Sequence, residues 1–285
     1  MNYRHAFHAG NFADVVKHAV LALLIERLKE KEAAFRVIDT HAGIGLYDLA
    51  GDQATRTGEW RQGIGRLLSR KLDPALVALL KPYFAVIKIA NGGGDLVRYP
   101  GSPWIARELL RRQDRLTAVE LHPEDAAALR DLFAGDQQVK TIALDGWLAL
   151  GSFVPPKERR GLVLVDPPFE ERDDFDKIVA GLKAAHRRWP AGIYAFWYPV
   201  KDLVAIDRFR ADLARAGIPR LLRAELLIRN RAAVGRFNGA GLVICNPPWQ
   251  FEETLAALLT GLWPHLADGP GAGKVIDVIA GEAKV

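Results

Sequence analysis

The chain has 285 residues, of which 49% are hydrophobic, and a net charge of +5 at pH 7. This size suits one large globular domain or one domain with an insert, and the mild positive charge is compatible with a polyanionic partner. The single cysteine, Cys245, excludes an internal disulfide and favours a reducing compartment. Because the sequence has no apolar signal core and no run of membrane-spanning length, we expect a cytoplasmic protein that is not attached to a membrane.

The chain begins with a predicted helix followed by a buried strand. Asn11 can cap a helix over residues 12–31, where apolar residues recur at helical spacing. Residues 35–39 form a short apolar strand that ends in Thr40-His41-Ala42-Gly43-Ile44-Gly45. Two glycines at this spacing allow a tight turn close to a ligand, but the third glycine of a dinucleotide fingerprint is missing. An NAD-dependent oxidoreductase is therefore disfavoured.

Residues 46–100 interrupt the alternation of strands and helices. They contain helical patterns over 60–69 and 74–90 and then the flexible run Asn91-Gly92-Gly93-Gly94. We interpret this segment as an inserted helical subdomain, with 1–45 and 101–285 forming the main domain. Inserts on the ligand edge of such sheets often hold substrate.

Strands and helices then alternate to near the end of the chain, which predicts a doubly wound α/β sheet. The last two strands are joined by only about a dozen residues without helical period, and we expect them to form an antiparallel hairpin. Seven strands with this ending match a Rossmann-like class I methyltransferase with a mostly parallel sheet. The strand candidates are residues 35–39, 116–120, 139–144, 162–165, 193–197, 221–228 and 241–245, and the later helices are 103–112, 123–133, 175–189 and 201–216.

Acidic residues end four of the predicted strands: Asp39, Glu120, Asp145 and Asp166. The carboxyl ends of parallel strands share one edge of the sheet, where ligands bind in open α/β folds. Asp39 suits a cationic methionine-type ligand, Glu120 can accept both hydroxyls of a ribose, and Asp145 with Gly146 can border an adenine ring.

The most informative motif is Asp166-Pro167-Pro168-Phe169 at the end of the strand over 162–165. The Asp166 carboxylate and the Pro167 carbonyl can accept both hydrogens of an exocyclic amino group, the prolines stiffen the loop, and Phe169 can lie against a base. This chemistry is methyl transfer to a nucleobase or amide nitrogen. A second copy, Asn246-Pro247-Pro248-Trp249, follows the predicted antiparallel strand, so we expect it at the opposite edge as a structural exit.

These blocks resemble the bacterial large-subunit ribosomal RNA adenine-N6 methyltransferase J family over nearly the whole chain. Besides the strand-end motifs, the resemblance includes Tyr3-Arg4-His5, Phe7-His8-Ala9-Gly10-Asn11, Tyr99-Pro100-Gly101-Ser102-Pro103, Glu120-Leu121-His122-Pro123 and Trp197-Tyr198-Pro199. It implies S-adenosylmethionine as methyl donor and an adenine of 23S rRNA as acceptor.

The resemblance also implies roles for individual residues. Asp166 is the expected catalytic acceptor, and Tyr3 is expected to reach the RNA. Pro167 and Phe169, which the chemistry of the motif already places against the base, complete the expected substrate contacts, although Phe169 replaces the tyrosine often found in the family. The expected cofactor-binding residues are His18, His41, Ser102, Glu120, Asp145, Gly146 and Asp166.

Three alternatives stay open at the level of sequence: a DNA adenine-N6 methyltransferase, a protein-glutamine methyltransferase and a non-catalytic RNA-binding protein. Arg229, Arg231 and Arg236 lie in the predicted hairpin loop on the ligand edge, where they could meet phosphates, which disfavours the glutamine substrate. We expect no metal, because the N-terminal histidines lack partners at metal-ligand spacing. The sequence does not determine the oligomeric state; a monomer is the expectation.

Overall fold

The computed structural model describes residues 4–233 and 235–282. Its strands are β1 (Arg36–Asp39), β2 (Leu46–Asp48), β3 (Arg98–Pro100), β4 (Arg115–Glu120), β5 (Val139–Ala143), β6 (Gly161–Val165), β7 (Ile193–Val200), β8 (Leu221–Leu227), β9 (Gly239–Cys245) and β10 (Gly273–Ala280). Its helices are α1 (Phe12–Lys29), α2 (Asp52–Thr57), α3 (Ile64–Leu68), α4 (Pro74–Ala90), α5 (Ser102–Leu109), α6 (Pro123–Leu132), α7 (Gly146–Ser152), α8 (Asp174–Arg188), α9 (Leu203–Arg215) and α10 (Phe251–Leu266). No helix within these described ranges is long and apolar enough to cross a bilayer.

The main sheet has the strand order β10-β8-β9-β7-β6-β1-β4-β5. Strands β5, β4, β1, β6 and β7 pair in parallel, whereas β9 is antiparallel to both β7 and β8. Apolar cores lie on both faces of the sheet. The structure therefore confirms the Rossmann-like, doubly wound class and the antiparallel hairpin.

The sheet contains eight strands rather than the predicted seven. The additional strand, β10, pairs antiparallel with β8 at the edge of the sheet and is only partly buried. Its position depends on a partner about fifty residues earlier in the chain. A local hydrophobic pattern does not reveal such a non-local pairing.

Helix α1 begins where Asn11 caps it, as predicted: the Asn11 Oδ1 accepts hydrogen bonds from the amides of Ala13 and Asp14 at 2.9 and 3.0 Å. The helix is buried nearly all round, because α4, α5 and α10 pack on it while it packs on β6 and β9. A helix covered on all sides carries no single apolar face. The apolar residues that recur at helical spacing in the sequence are therefore only part of the buried surface of α1.

The segment over 46–100 starts and ends in a small antiparallel ribbon, in which β2 pairs with β3. Between these strands, α4 begins at the capping residue Asp73 and packs Leu80 and Tyr83 into the same core as α1. This arrangement brings residues near 59 to the ligand edge. The division of the chain into a main domain and an insert remains a prediction.

Candidate active site

Two cavities open at the carboxyl edge of the parallel strands and meet at Asp166. We call the first the strand-end cavity. It contains six of the residues expected at the site, and the glycine-rich turn after β1 and the start of α5 complete its wall. The expected residues that line it are His18, His41, Ser102, Glu120, Asp166 and Pro167.

Glu120 is fixed in the wall of the strand-end cavity by backbone amides. Its two carboxylate oxygens accept hydrogen bonds from the amides of Gly43 and His122, each at 2.8 Å. Gly43 has φ +59°, and a Cβ there would lie 2.2 Å from the Tyr47 hydroxyl oxygen. The turn therefore requires glycine, and it holds a carboxylate ready for a further donor such as a ribose hydroxyl.

His18 and His41 present uncharged rings to the strand-end cavity. Burial holds the pKa of His18 well below its ordinary value and lowers the pKa of His41 to about 4. His18 Nδ1 lies 2.7 Å from the Tyr99 hydroxyl, and His41 Nδ1 lies 2.8 Å from the Thr40 hydroxyl. Both rings are thus held in place by neutral hydroxyl groups.

Asp39 is buried at the end of β1 and does not itself line the strand-end cavity, although His41 and Ala42 just after it do. Burial raises the pKa of its carboxyl to about 7, although a hydrogen bond with Ser102 opposes the shift. Its Oδ2 is buried and has no hydrogen-bond partner among the described residues. Its Oδ1 accepts a hydrogen bond from the His41 amide at 3.4 Å, so only Oδ2 is unsatisfied. An unsatisfied buried carboxyl oxygen is costly, and a cation would stabilise the ionised form.

Asp145 and Gly146 lie outside the set of residues that line the strand-end cavity. The Asp145 carboxylate caps α7 by accepting hydrogen bonds from the amides of Trp147 and Leu148. Gly146 packs so closely that a Cβ would lie 2.4 Å from the Thr40 carbonyl oxygen. Both are adjacent to the His41 side of the cavity, and their role toward a cofactor stays a prediction.

We call the second cavity the aromatic cavity; it has a volume of about 270 Å³. Phe169 has φ +52°, a left-handed conformation that is strained for a bulky residue and often marks a functional position. Its ring contacts those of Trp197 and Phe175 edge to face, at centroid distances of 5.7 and 5.2 Å. Besides Asp166, Pro168 and Phe169, residues His8, Asn11, Glu59, Trp197, Lys201 and Phe237 line this cavity.

A buried ionic network joins the two cavities, and the sequence analysis did not predict it. The Lys17 ammonium contacts Asp166 Oδ2 and lies 2.8 Å from Asp14 Oδ1. Asp14 Oδ2 accepts hydrogen bonds from the Gly10 amide and from His5 Nε2, each at 2.9 Å. The signal available in the sequence was a pair of opposite charges three residues apart in the first half of a largely apolar helix.

The charges of this network stabilise one another. Burial alone would raise the pKa of Asp14, yet His5 and Lys17 hold that pKa well below its ordinary value. Burial alone would lower the pKa of Lys17, yet Asp14 and Asp166 raise it. Lys17 is therefore a fixed cation that orients the Asp166 carboxylate toward both cavities.

The second Pro-Pro motif lies at the opposite edge of the sheet, as expected. The Asn246 side-chain amide donates hydrogen bonds to the carbonyls of Pro190 and Gly192 at 2.6 and 2.8 Å. Trp249 is 83% exposed. Asn246 thus anchors the chain before β7, and its amide hydrogens are used within the protein.

The hairpin loop between β8 and β9 lies at the ligand edge, but two of its three arginines are paired internally. Arg229 contacts Asp268, and Arg231 Nε lies 3.5 Å from the buried Glu225. Arg236 is exposed. Phe237, which was not singled out in the sequence, brings this loop into the aromatic cavity. Tyr3 lies outside the described residues.

Several known proteins resemble this chain over most of its length. A family model described as "Ribosomal RNA large subunit methyltransferase D, RlmJ" matches residues 32–278. Ribosomal RNA large subunit methyltransferase J of Escherichia coli is 43% identical over 265 residues, which cover 93% of each chain. The Haemophilus influenzae protein of the same name is 42% identical over 277 residues, covering 96% of this chain and 98% of the other. A crystal structure of a Legionella pneumophila protein superposes with a TM-score of 0.86 at 34% identity, covering 95% of this chain and 98% of that one.

Proposed function

Because the chain belongs to the ribosomal RNA large subunit methyltransferase J family, we propose that it transfers a methyl group from S-adenosylmethionine to N6 of an adenine in 23S rRNA. The observation that carries this proposal is the meeting of two chemically different cavities at Asp166. The strand-end cavity is lined mainly by polar and charged groups, among them the carboxylates of Glu120 and Asp125, whereas the aromatic cavity also carries the rings of Phe169, Trp197 and Phe237. A donor and an acceptor base placed in them would face each other across the Asp166 motif.

The polar lining of the strand-end cavity matches the chemistry of the methyl donor. Glu120 would accept the ribose hydroxyls, and the unpartnered Oδ2 of Asp39 would favour the cationic methionine end. His18, His41 and Ser102 would complete the walls with uncharged groups. When bound, the cofactor supplies an electrophilic methyl group on a sulfonium.

The Asp166 motif prepares the acceptor nitrogen. The lone pair of an adenine amino group is delocalised into the ring, so the nitrogen is a poor nucleophile. Acceptance of its two hydrogens by the Asp166 carboxylate and the Pro167 carbonyl would pull the nitrogen toward a tetrahedral geometry and expose its lone pair. Lys17 would hold Asp166 in position for this task. Orientation of both reactants would supply much of the rate enhancement.

The aromatic cavity accounts for how a base would reach this point. An adenine within a helix has to leave the stack before its amino group can enter a pocket. Phe169 and Trp197 offer ring surfaces that would replace the lost stacking. A structured RNA with an unpaired or flippable adenine is the substrate that this geometry suits.

The test of the proposed function is transfer of labelled methyl groups to deproteinised 23S rRNA, 16S rRNA and duplex DNA in parallel, followed by nucleoside analysis. We expect N6-methyladenosine in 23S rRNA alone. Label in the DNA would instead support a DNA adenine methyltransferase. Cofactor binding without label in any nucleic acid would contradict the proposal.

Replacement of Phe169 with alanine is expected to lower kcat/KM for 23S rRNA by about 10- to 100-fold, because stacking on an aromatic contributes about 1–3 kcal/mol per base. The matched control is Trp249→Ala in the second motif, whose exposed ring lies at the opposite edge. Steady-state kinetics should show no change for the control. Equal losses in the two variants would contradict the assignment of the aromatic cavity.

Cofactor affinity is expected to rise with pH up to about pH 7. Since burial raises the Asp39 pKa to about 7, a cationic ligand that favours the ionised carboxylate must displace a proton at lower pH. When binding displaces one proton, Kd falls about tenfold for each unit by which the pH rises. Calorimetric titration with S-adenosylhomocysteine, which keeps the ammonium group, should show this slope between pH 5.5 and 7.

The control for this prediction is Asp39→Asn, which preserves the shape of the side chain and removes its titration. We expect the variant to bind more weakly at pH 8 and to lose this component of the slope. If the Kd for S-adenosylhomocysteine depended on pH in the same way in the variant and the wild type, the ionisation of Asp39 would not be coupled to ligand binding.

A further inference from the structure

A third cavity lies directly beyond the aromatic cavity; we call it the outer cavity. It has a volume of about 290 Å³. The two cavities share Asn11, Glu59 and Phe237 as a common wall. The outer cavity therefore adjoins the pocket proposed for the target adenine across these three residues, and it plays no part in the mechanism described so far.

A row of aromatic rings runs from one cavity into the other. Phe169 contacts Trp197 at a centroid distance of 5.7 Å, and Trp197 contacts Phe237 at 6.3 Å. Phe237 in turn contacts Phe12 at 4.8 Å, and Phe12 lines the outer cavity. Aromatic rings in series are the surfaces on which proteins stack successive bases of a single strand.

The rest of the outer cavity combines an apolar floor with polar edges. Ile228 and Leu266 form the floor together with Phe12, and Gln62 and Arg66 stand at the edge. A flat apolar surface bordered by hydrogen-bonding groups suits a heteroaromatic ring.

Charge in the outer cavity favours a phosphate beside such a ring. Asp268 is paired with Arg229, and Glu59 accepts hydrogen bonds from Asn11 and His8. Arg66 instead donates a hydrogen bond to the neutral Ala267 carbonyl at 2.7 Å, which fixes its guanidinium without neutralising it. On the other side of the common wall, Lys201 lies over the Phe237 ring at 5.7 Å. Cations thus flank the aromatic row where a phosphodiester would pass.

We propose that the outer cavity binds the nucleotide adjacent to the target adenine, with its base against Phe12 and Phe237 and its phosphate near Arg66. The inference rests on the proposed function, and it narrows the substrate class. The RNA must present two neighbouring nucleotides that are both unstacked from their helix. A bulge, a loop or a strained junction meets this requirement, whereas a single base flipped from an intact duplex does not.

The experiment blocks the outer cavity and leaves the aromatic cavity open. Gln62→Trp places a large side chain at the exposed edge, and Arg66→Ala removes the cation. The matched control is Arg70→Ala, an exposed arginine two residues after the end of α3, which carries Arg66; Arg70 lines neither cavity. Each protein is assayed for methyl transfer to 23S rRNA, for cofactor Kd, and for inhibition by adenosine monophosphate and by the dinucleotide ApA.

We expect ApA to inhibit the wild type at least about tenfold more strongly than adenosine monophosphate, as stacking of one further base would give. Gln62→Trp should abolish this difference and lower kcat/KM for 23S rRNA by a similar factor. Arg66→Ala should reduce the preference for ApA and the kcat/KM for 23S rRNA by smaller factors. Cofactor Kd and inhibition by adenosine monophosphate should stay at wild-type values in both variants, which also shows that they are folded. Arg70→Ala should match the wild type throughout.

Equal inhibition by ApA and adenosine monophosphate in the wild type would overturn the inference and leave the proposed function intact. The inference would also be overturned if Gln62→Trp kept the wild-type kcat/KM for 23S rRNA. It would be overturned as well if Gln62→Trp lost inhibition by adenosine monophosphate together with inhibition by ApA. Absence of transfer to 23S rRNA by the wild type itself would refute the proposed function and, with it, this inference.

Discussion

Replacement of Asp166 with alanine is expected to reduce methyl transfer to 23S rRNA by at least about 100-fold, the usual cost of losing one group placed to stabilise a developing charge. The variant loses the carboxylate acceptor while Pro167 keeps its carbonyl, so the amino group would be held by one acceptor instead of two. S-adenosylhomocysteine should still bind, because Glu120 keeps its hydrogen bonds to Gly43 and His122. Single-turnover kinetics and calorimetry separate the two effects.

Asp166→Asn provides a graded comparison, because an amide oxygen still accepts one hydrogen bond but carries no charge. Its activity should lie between those of the wild type and Asp166→Ala. Activity of Asp166→Ala within about tenfold of the wild type would contradict the role of this carboxylate as the acceptor of the amino hydrogens.

Asn246→Ala is the matched control in the second motif. Kinetic constants should stay within about twofold of wild type, since Asn246 lies at the opposite edge of the sheet. Stability should fall by about 1–3 kcal/mol, because the carbonyls of Pro190 and Gly192 lose their donor and alanine is strained at φ +54°. Thermal unfolding measures this cost. Substitution in the first copy of the motif is thus expected to lower catalysis, and substitution in the second copy is expected to lower stability.

The sequence predicted the parts of the fold that follow from local pattern. Alternating strands and helices, the cap at Asn11 and the short connection before Gly239 each depend on neighbouring residues, and the structure confirms them. Chain direction also separated the two Pro-Pro motifs, because a strand's orientation determines the edge at which its last residue emerges. Strand β10 was not predicted, because it forms only by pairing with β8, which is distant in the sequence.

The site was predictable only where its residues follow strands. Glu120 and Asp166 end parallel strands and therefore meet at one edge. Lys17 and Phe237 come from a helix and a loop, and their approach to Asp166 depends on how α1 and the β8–β9 connection pack against the sheet. Glu59 reaches the aromatic cavity from the segment over 46–100. No spacing in the sequence encodes these tertiary contacts.

The buried pair of Lys17 and Asp14 is expected to give the largest effects on stability. Lys17→Met leaves Asp14 as a buried carboxylate without its lysine, and Asp14→Leu leaves Lys17 with only Asp166. Breaking a buried ion pair by removing one partner costs about 3–5 kcal/mol. Denaturant unfolding of each single variant should show a loss of this size, and both should have greatly reduced methyl transfer.

The double variant Asp14→Leu/Lys17→Met separates folding from catalysis. Replacement of a buried ion pair by apolar residues of similar volume is often neutral or stabilising, so part of the lost stability should return, while Asp166 and the Gly10 amide still lack the partners that they had. Methyl transfer should not return, because the cation that orients Asp166 is still absent. We expect kcat to stay at least about 100-fold below wild type while KM for RNA and the Kd for S-adenosylhomocysteine approach wild-type values. A stable double variant that regained activity would show that Lys17 serves the fold alone. A stable and inactive one would show that helix α1 supplies a positioning residue to the active site.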